Sequence, residues 1–221
     1  MFEPGPLQFE AVEVSIPEPQ PRSLAEATIH GDMDETRRIL HSDVKTKIRE
    51  EYENTLLFQA VRAGHAIWVQ DLLTGGADAN FTAPGGDTGL MTAAWNCNLE
   101  VARALLGNGA LVNTADVNGE TALILSSETC ANGEMTQVLL DAKADPNAQT
   151  KNGMTALMAA VRNPLVVERL IKAGADPAAK DDDGNTAESD SCDRGAEGFY
   201  RVCQLVRKAL GKSPCEPGSC N

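Results

Sequence analysis

The sequence predicts an all-α solenoid of about six stacked helix-turn-helix units. Three observations carry this. A threonine that opens an apolar run returns at Thr55, Thr88, Thr121, Thr155 and Thr186, at spacings of 33, 33, 34 and 31 residues. Four of these threonines follow a glycine two residues earlier, at Gly86, Gly119, Gly153 and Gly184. An apolar doublet (Leu72-Leu73, Leu105-Leu106, Leu139-Leu140, Leu170-Ile171) keeps the same period and precedes the turns that start at Ala77, Ala110, Ala144 and Ala175. Self-similarity at a fixed period of about 20 to 50 residues marks a repeat architecture and outranks any local motif.

Each segment can be justified in turn. Residues 1–22 carry Pro4, Pro6, Pro17, Pro19 and Pro21 and cannot extend a solenoid, so they read as an acidic, Pro-rich tail. Within it Val12 to Ile16 alternates as a strand does, leaving two readings: disorder, or an extended segment that docks on the array or on a partner's sheet edge. Residues 23–50 read as an N-terminal cap, with Leu24 to Asp32 and Ile39-Leu40 keeping the two-helix pattern around Gly31 while Asp32, Asp34, Glu35, Arg37 and Arg38 supply an outward face. Full repeats occupy about 51–180. A threonine ahead of an apolar run can accept a hydrogen bond from a free N–H of the first helical turn, worth about 0.5 to 2 kcal/mol. Gly76, Gly109 and Gly174 stand just after the second helix, where a left-handed residue commonly ends it. Neither helix of a unit is long enough to be stable alone, so each buries its face only by stacking, and the array is one quasi-one-dimensional domain. Residues 181–212 read as the C-terminal cap: Thr186-Ala187 is kept, Glu188 replaces an apolar residue, and Phe199 to Leu210 restores the helical spacing. Residues 213–221 are a flexible tail.

These phrases resemble the ankyrin repeat. The resemblance implies units of helix, turn, helix and projecting finger, with partner proteins held against the finger tips and the exposed face of the first helix, along a concave groove. The sequence departs from the family pattern in a systematic way. The proline after the threonine is replaced by Leu56, Gly89, Ala122, Ala156 and Ala187, and the histidine three positions after it by Phe58, Met91, Ile124 or Met158. That histidine ties successive turns together by hydrogen bonds, so a softer stack held more by apolar packing is expected. The turn around Cys130 to Gly133 is one residue longer than its neighbour, and the one at Asn163-Pro164 two residues shorter.

Composition bounds the function. Of 221 residues 42% are hydrophobic but only 4% aromatic, which suits a core of Ala, Leu and Val. No apolar run is long enough for a membrane span, and Met1 to Pro6 has neither the basic nor the apolar region of a secretory signal. The expected location is therefore cytoplasmic or otherwise intracellular, with Cys97, Cys130 and Cys192 kept as thiols and Cys203 in the core. Asn80-Phe81-Thr82 matches the glycosylation sequon, which is chance without secretion. Cys215 and Cys220 lack further Cys or His at metal-motif spacing, and Cys220 is misplaced for prenylation. A net charge of −13 argues against a nucleic-acid partner, because such binding rests on Lys and Arg displacing counterions; a basic protein surface fits better. Residues 181–197 hold seven carboxylates against one arginine, while the helix after them holds Arg201, Arg207, Lys208 and Lys212, which makes either a solvated cap or a docking patch.

Catalytic constellations reduce to near misses. Gly211-Lys212-Ser213 ends like a phosphate-binding loop, but Val206 stands where its first glycine must be. Asp181-Asp182-Asp183-Gly184 is the repeat's own turn, since a calcium loop would place its first ligand on Ala179. His65 starts a second helix, and no histidine stands beside a Ser or Cys at a catalytic spacing. No cofactor, metal or enzymatic activity is expected. Applied position by position, the resemblance implies a partner-binding set of Tyr52, Asn54, Arg62, Asp87, Trp95, Asn96, Glu120, Met154 and Arg162. Trp95 stands out because Leu90, Met91, Ala93 and Ala94 already supply its helix with an apolar face; it either points toward the groove or packs on the neighbouring first helix. Trp68, between Ile67 and Val69, reads as structural. The chain is thus expected to be a non-enzymatic adaptor or inhibitor, monomeric by itself; the alternative is a structural subunit fixed in a larger assembly. Leu106 and Leu140 are expected to be core residues shared between units.

Overall fold

The computed structural model describes residues 46–192 and 197–214; side chains are described at Asn54 and from Leu56 onward in the first helix, and from Phe199 onward in the last. The N-terminal tail, most of the N-terminal cap, Cys215 and Cys220 lie outside these residues. Ten helices are present among the described residues: α1 (Thr46–Ala63), α2 (Ala66–Thr74), α3 (Gly89–Trp95), α4 (Leu99–Gly107), α5 (Ala122–Thr129), α6 (Glu134–Asp141), α7 (Ala156–Ala159), α8 (Pro164–Lys172), α9 (Ala187–Cys192) and α10 (Glu197–Ala209). They form two layers. The odd-numbered helices pack in succession on one another, and the even-numbered helices do the same behind them. Fingers at 82–88, 115–121 and 149–155 are each closed by an isolated antiparallel bridge, Thr82 to Thr88, Ala115 to Thr121 and Gln149 to Thr155.

The threonines open helices as the sequence requires. Thr88 Oγ1 accepts from the Met91 N–H (3.1 Å), Thr121 from Ile124 (3.4 Å), Thr155 from Met158 (3.3 Å) and Thr186 from Ser189 (3.1 Å). At two of these caps the residue three positions on answers back: the Thr88 N–H donates to Met91 Sδ (3.4 Å) and the Thr186 N–H to Ser189 Oγ (2.8 Å). Thr55 is the exception, because α1 runs through it from Thr46 to Ala63. Thr55 lacks the glycine that turns the chain ahead of the others, and Lys47 to Glu53 are mostly good helix formers, so nothing breaks the helix there. The second helices end as expected, with φ of 105° at Gly76, 87° at Gly109 and 93° at Gly174; Lys143, at φ 71°, takes this place after α6. The longer turn appears as expected, but the two-residue shortening falls on the helix before Asn163-Pro164 rather than on the turn. Residues 130–133 separate α5 from α6, whereas 96–98 separate α3 from α4; between α7 and α8 the turn spans 160–163, and it is α7, in the fourth helix pair, that is cut to a single turn.

The core is small-residue and aliphatic. Val69, Ala93, Ala94, Val101, Ala102, Leu105, Leu139, Val166, Val167 and Leu170 are fully buried. In α4 and α6 the first leucine of the doublet takes the core position, while Leu106 and Leu140 are only half-buried. The expectation for Leu106 and Leu140 is corrected accordingly. Facing residues one turn apart fill the seam between layers, and the next residue round, 100° further on, falls at its edge.

Hydrogen bonds between units add to the apolar packing, in the turns after the second helices rather than at the histidine position. Asn80 Oδ1 accepts from the Leu111 N–H (2.7 Å) while its Nδ2 donates to Gly109 O (3.1 Å). Asn113 does the same with Asp145 N and Lys143 O, and Asn147 with Asp176 N and Gly174 O. At each step one side chain satisfies both a donor and an acceptor of the following turn. Fingers are linked separately, by Val117 N to Gly85 O (3.1 Å), Lys151 N to Asn118 O (2.8 Å) and Asp182 N to Asn152 O (3.0 Å).

The cysteines are also corrected. Cys97 is joined to Cys130 and Cys192 to Cys203, with Cα separations of 5.5 and 5.2 Å, inside the range a disulfide bridges. Cys97 and Cys130 stand a repeat period apart in successive turns, so stacking itself brings them together. The second bridge staples α9 to α10, where Glu188 pairs with Arg207 (2.9 Å) and with Lys212. Part of the charge contrast in the C-terminal cap is thereby satisfied within the cap.

Candidate partner-binding face

The surface that could receive a partner is built from each finger and the odd-numbered helix that follows it. Glycine makes the finger possible. Gly119 has φ of 81°, and a Cβ there would stand 2.9 Å from Lys151 N; at Gly153 it would stand 2.8 Å from Asp181 Cα. Only a residue without a side chain allows both the left-handed backbone and the close approach of the next finger. The second finger is shaped by Asp116, whose Oδ1 accepts from the N–H groups of Asn118 (2.8 Å) and Glu120 (2.7 Å). Asp181 repeats the arrangement with Asp183 and Asn185, and the Asn185 side-chain bond to Asp181 Oδ2 leads the interactions that hold its carboxyl below the usual range. This turns a surface carboxylate into a local backbone scaffold.

Helix α3 ends at Trp95. Leu90, Met91, Ala93 and Ala94 are at most 1% exposed, whereas Trp95 is 50% exposed. The inward face of the helix is complete without the indole, half of which stands in solvent. Asn96, its exposed neighbour, ends the helix with its backbone N–H on Thr92 O (3.1 Å). One period on, Glu128 is exposed near the end of α5, and Val117 is 57% exposed at the tip of the finger before it.

The acidic side chains of this face act on one another. Glu120 is raised above the ordinary carboxylate range, first by burial and then by the charges of Asp116, Glu128 and Asp87, with the Asn118 side-chain hydrogen bond opposing the shift. Four carboxylates from two successive fingers and α5 therefore share one field. Asp87, Glu120, Trp95 and Asn96 of the expected set fall on two successive units of this surface. Asp116 and Glu128 belong with them; the Asp-x-x-Gly phrase at 116–119 was the available signal for the former.

Other members of the set stand apart. Asn54 is engaged within the fold, its Oδ1 accepting from Asp78 N (3.1 Å). Tyr52 lies on α1, and its side chain is outside the described residues. Arg62 is exposed in the last turn of α1, and Met154 is half-buried beside Thr155 with its N–H on Thr150 Oγ1 (3.0 Å). Arg162 is exposed but follows the shortened α7, in the turn rather than at a helix end. Trp68 is half-buried and tilted against His65, ring centroids 5.3 Å apart. Among the described residues no cluster of His, Cys, Asp and Glu could hold a metal ion, and no helix is long and apolar enough to cross a membrane.

Comparison with known proteins agrees with this architecture. The family model for ankyrin repeats (3 copies) matches residues 24–116, 57–150, 90–181 and 127–208. The chain is 34% identical over 140 residues to a putative palmitoyltransferase, ZDHHC13, of Danio rerio, covering 62% of this chain and 22% of the relative. It is 33% identical over 130 residues to ankyrin repeat, SAM and basic leucine zipper domain-containing protein 1 of Carollia perspicillata, covering 56% and 27%. With the Arabidopsis thaliana regulatory protein NPR6 it shares 46% identity over 74 residues, 31% of this chain and 15% of that one. The chain thus spans about a quarter or less of the length of these curated relatives.

Proposed function

The chain belongs to the ankyrin-repeat family, whose arrays are generally protein–protein interaction modules, and from that premise we propose that it is a non-enzymatic adaptor or inhibitor acting by occupancy. Its finger and odd-helix face holds a partner protein with a basic surface. The observation that carries this reading is a half-exposed tryptophan, Trp95, on the same two units as the acidic side chains Asp87, Asp116, Glu120 and Glu128, of which Glu120 is raised first by burial and then by the charges of the other three. An aromatic anchor inside a charged rim is the composition interfaces favour, with Trp, Tyr and Arg over-represented among the residues that matter most. Opposite charge on the partner would speed encounter and fix register. The palmitoyltransferase activity named for one relative is not carried over, because the match covers only a fifth or so of that protein.

The test is parallel affinity capture from cell extract, followed by mass spectrometry, using the native chain and a folded Trp95→Ala, Glu120→Lys variant. A protein retained by the native chain and lost by the variant supports the reading. Equal capture by both moves binding to another surface and favours a structural subunit of a larger assembly.

A further inference from the structure

We propose that Cys97 is a modification site: small thiols of the glutathione class attack its sulfur, open the bridge to Cys130 and leave a mixed disulfide on Cys97, while Cys192–Cys203 stays closed. The inference does not rest on the partner-binding reading. It begins from the seams between units. At two of them the turn between helices is tied to the preceding unit by an asparagine: Asn98 Nδ2 donates to Gly64 O (3.2 Å), and Asn163 Nδ2 to Ala131 O (2.7 Å) and Cys130 O (3.3 Å). In the seam between these, the residue that starts the second helix is Gly133, which has no side chain to reach back. There the Cys97–Cys130 bridge stands in the place of the amide.

The two sulfurs of this bridge differ in access. Cys97 is exposed, in a left-handed conformation at φ 54° that turns the chain out after α3, whereas Cys130 is 2% exposed. In the second bridge Cys203 is fully buried and Cys192 half-buried between α9 and α10. Exchange proceeds by attack of a thiolate on one sulfur, and which sulfur is reached depends on access. The incoming thiolate bonds to Cys97 Sγ as the Cys97–Cys130 bond breaks, and the electron pair leaves on Cys130 Sγ, which takes a proton from solvent. No further oxidant or reductant is consumed. Cys130 Sγ already lies 3.1 Å from Ala94 O, so the new thiol finds an acceptor in place and the core need not rearrange. The same thiol, once deprotonated, stands beside Cys97 to expel the adduct and reclose the seam. Cys97 is two residues beyond Trp95, so the adduct places a bulky, charged group next to the exposed indole.

The experiment uses the purified, air-oxidised full chain treated with graded glutathione, quenched in acid, then unfolded in denaturant, alkylated with iodoacetamide and mapped by peptide mass spectrometry. The expected result is glutathione on Cys97, alkylated Cys130, and Cys192–Cys203 intact at about tenfold the glutathione that opens half of the first bridge. A Cys97→Ser chain given oxidised glutathione, which a reachable thiolate would attack to take one half and expel the other as glutathione thiolate, should carry no adduct on Cys130, because that free thiol is buried. Glutathione on Cys130 in either chain, both bridges opening together, or an oxidised native chain in which Cys97 and Cys130 are not joined would each overturn the assignment.

Discussion

Trp95 is exposed because its helix is short and its neighbours are small. Seven residues give α3 two turns, and the alanines and leucine before the indole already fill the seam. Replacing it with alanine should therefore leave stability nearly unchanged but weaken partner binding by about 30-fold, or about 2 kcal/mol, in isothermal titration. A loss below about threefold would remove Trp95 from the contact. Glu120 makes a second test. Its folded pKa is raised, by burial first, so the fold favours its protonated form; that contribution is present in acid and is lost as pH rises through the folded value. Glu120→Gln should then raise stability in urea melts at neutral pH, with no difference in acid below the ordinary carboxylate range. Trp95 could be read from the sequence because the pattern around it accounts for the buried face of its helix. Asn54 could not, since the N–H that claims its side chain belongs to Asp78, in the turn after the next helix. The Cys97–Cys130 pairing is legible only in the 33-residue period that stacks one turn on the next, and not in composition, which favours free thiols when no secretory signal is seen.

At the scale of the element, the units are defined by caps, glycines and one leucine of each doublet. Leu105→Ala and Leu139→Ala should each cost about 2 to 5 kcal/mol in denaturant melts, and Leu106→Ala distinctly less. Equal losses at Leu105 and Leu106 would show that the α4 seam is misplaced. Two glycines, one after a second helix and one in a finger, give a sharper contrast. Gly109→Ala incurs the left-handed backbone alone, with open space around its Cβ, whereas Gly119→Ala adds a 2.9 Å approach to the neighbouring finger; the first should cost about 1 kcal/mol and the second clearly more. Local chemistry made these elements legible: four threonines cap four helices as their sequence context requires. Thr55 shows where that chemistry ends. A threonine without a turn ahead of it does not start a helix, and the segment before it is helical enough to run on.

The whole molecule follows from the period. Two layers of short helices, stacked through Asn80, Asn113 and Asn147 just ahead of the fingers and through backbone amides within them, expose a row of loops whose composition the core does not dictate. The fold was therefore open to sequence reasoning, since each unit repeats the same residues for the same reasons. The binding face was only partly open to it, because its residues come from successive units and are united by a field rather than by a motif. That field predicts that partner affinity falls as salt rises, screened over a Debye length of about 10 Å at 0.1 M. Affinity indifferent to salt would argue for apolar docking around Trp95 and Val117 alone. The most direct test of the account is amide deuterium uptake across the array with and without its captured partner. Protection concentrated at residues 83–96 and 115–129 is the predicted result; protection confined to α2, α4, α6 and α8 would contradict it.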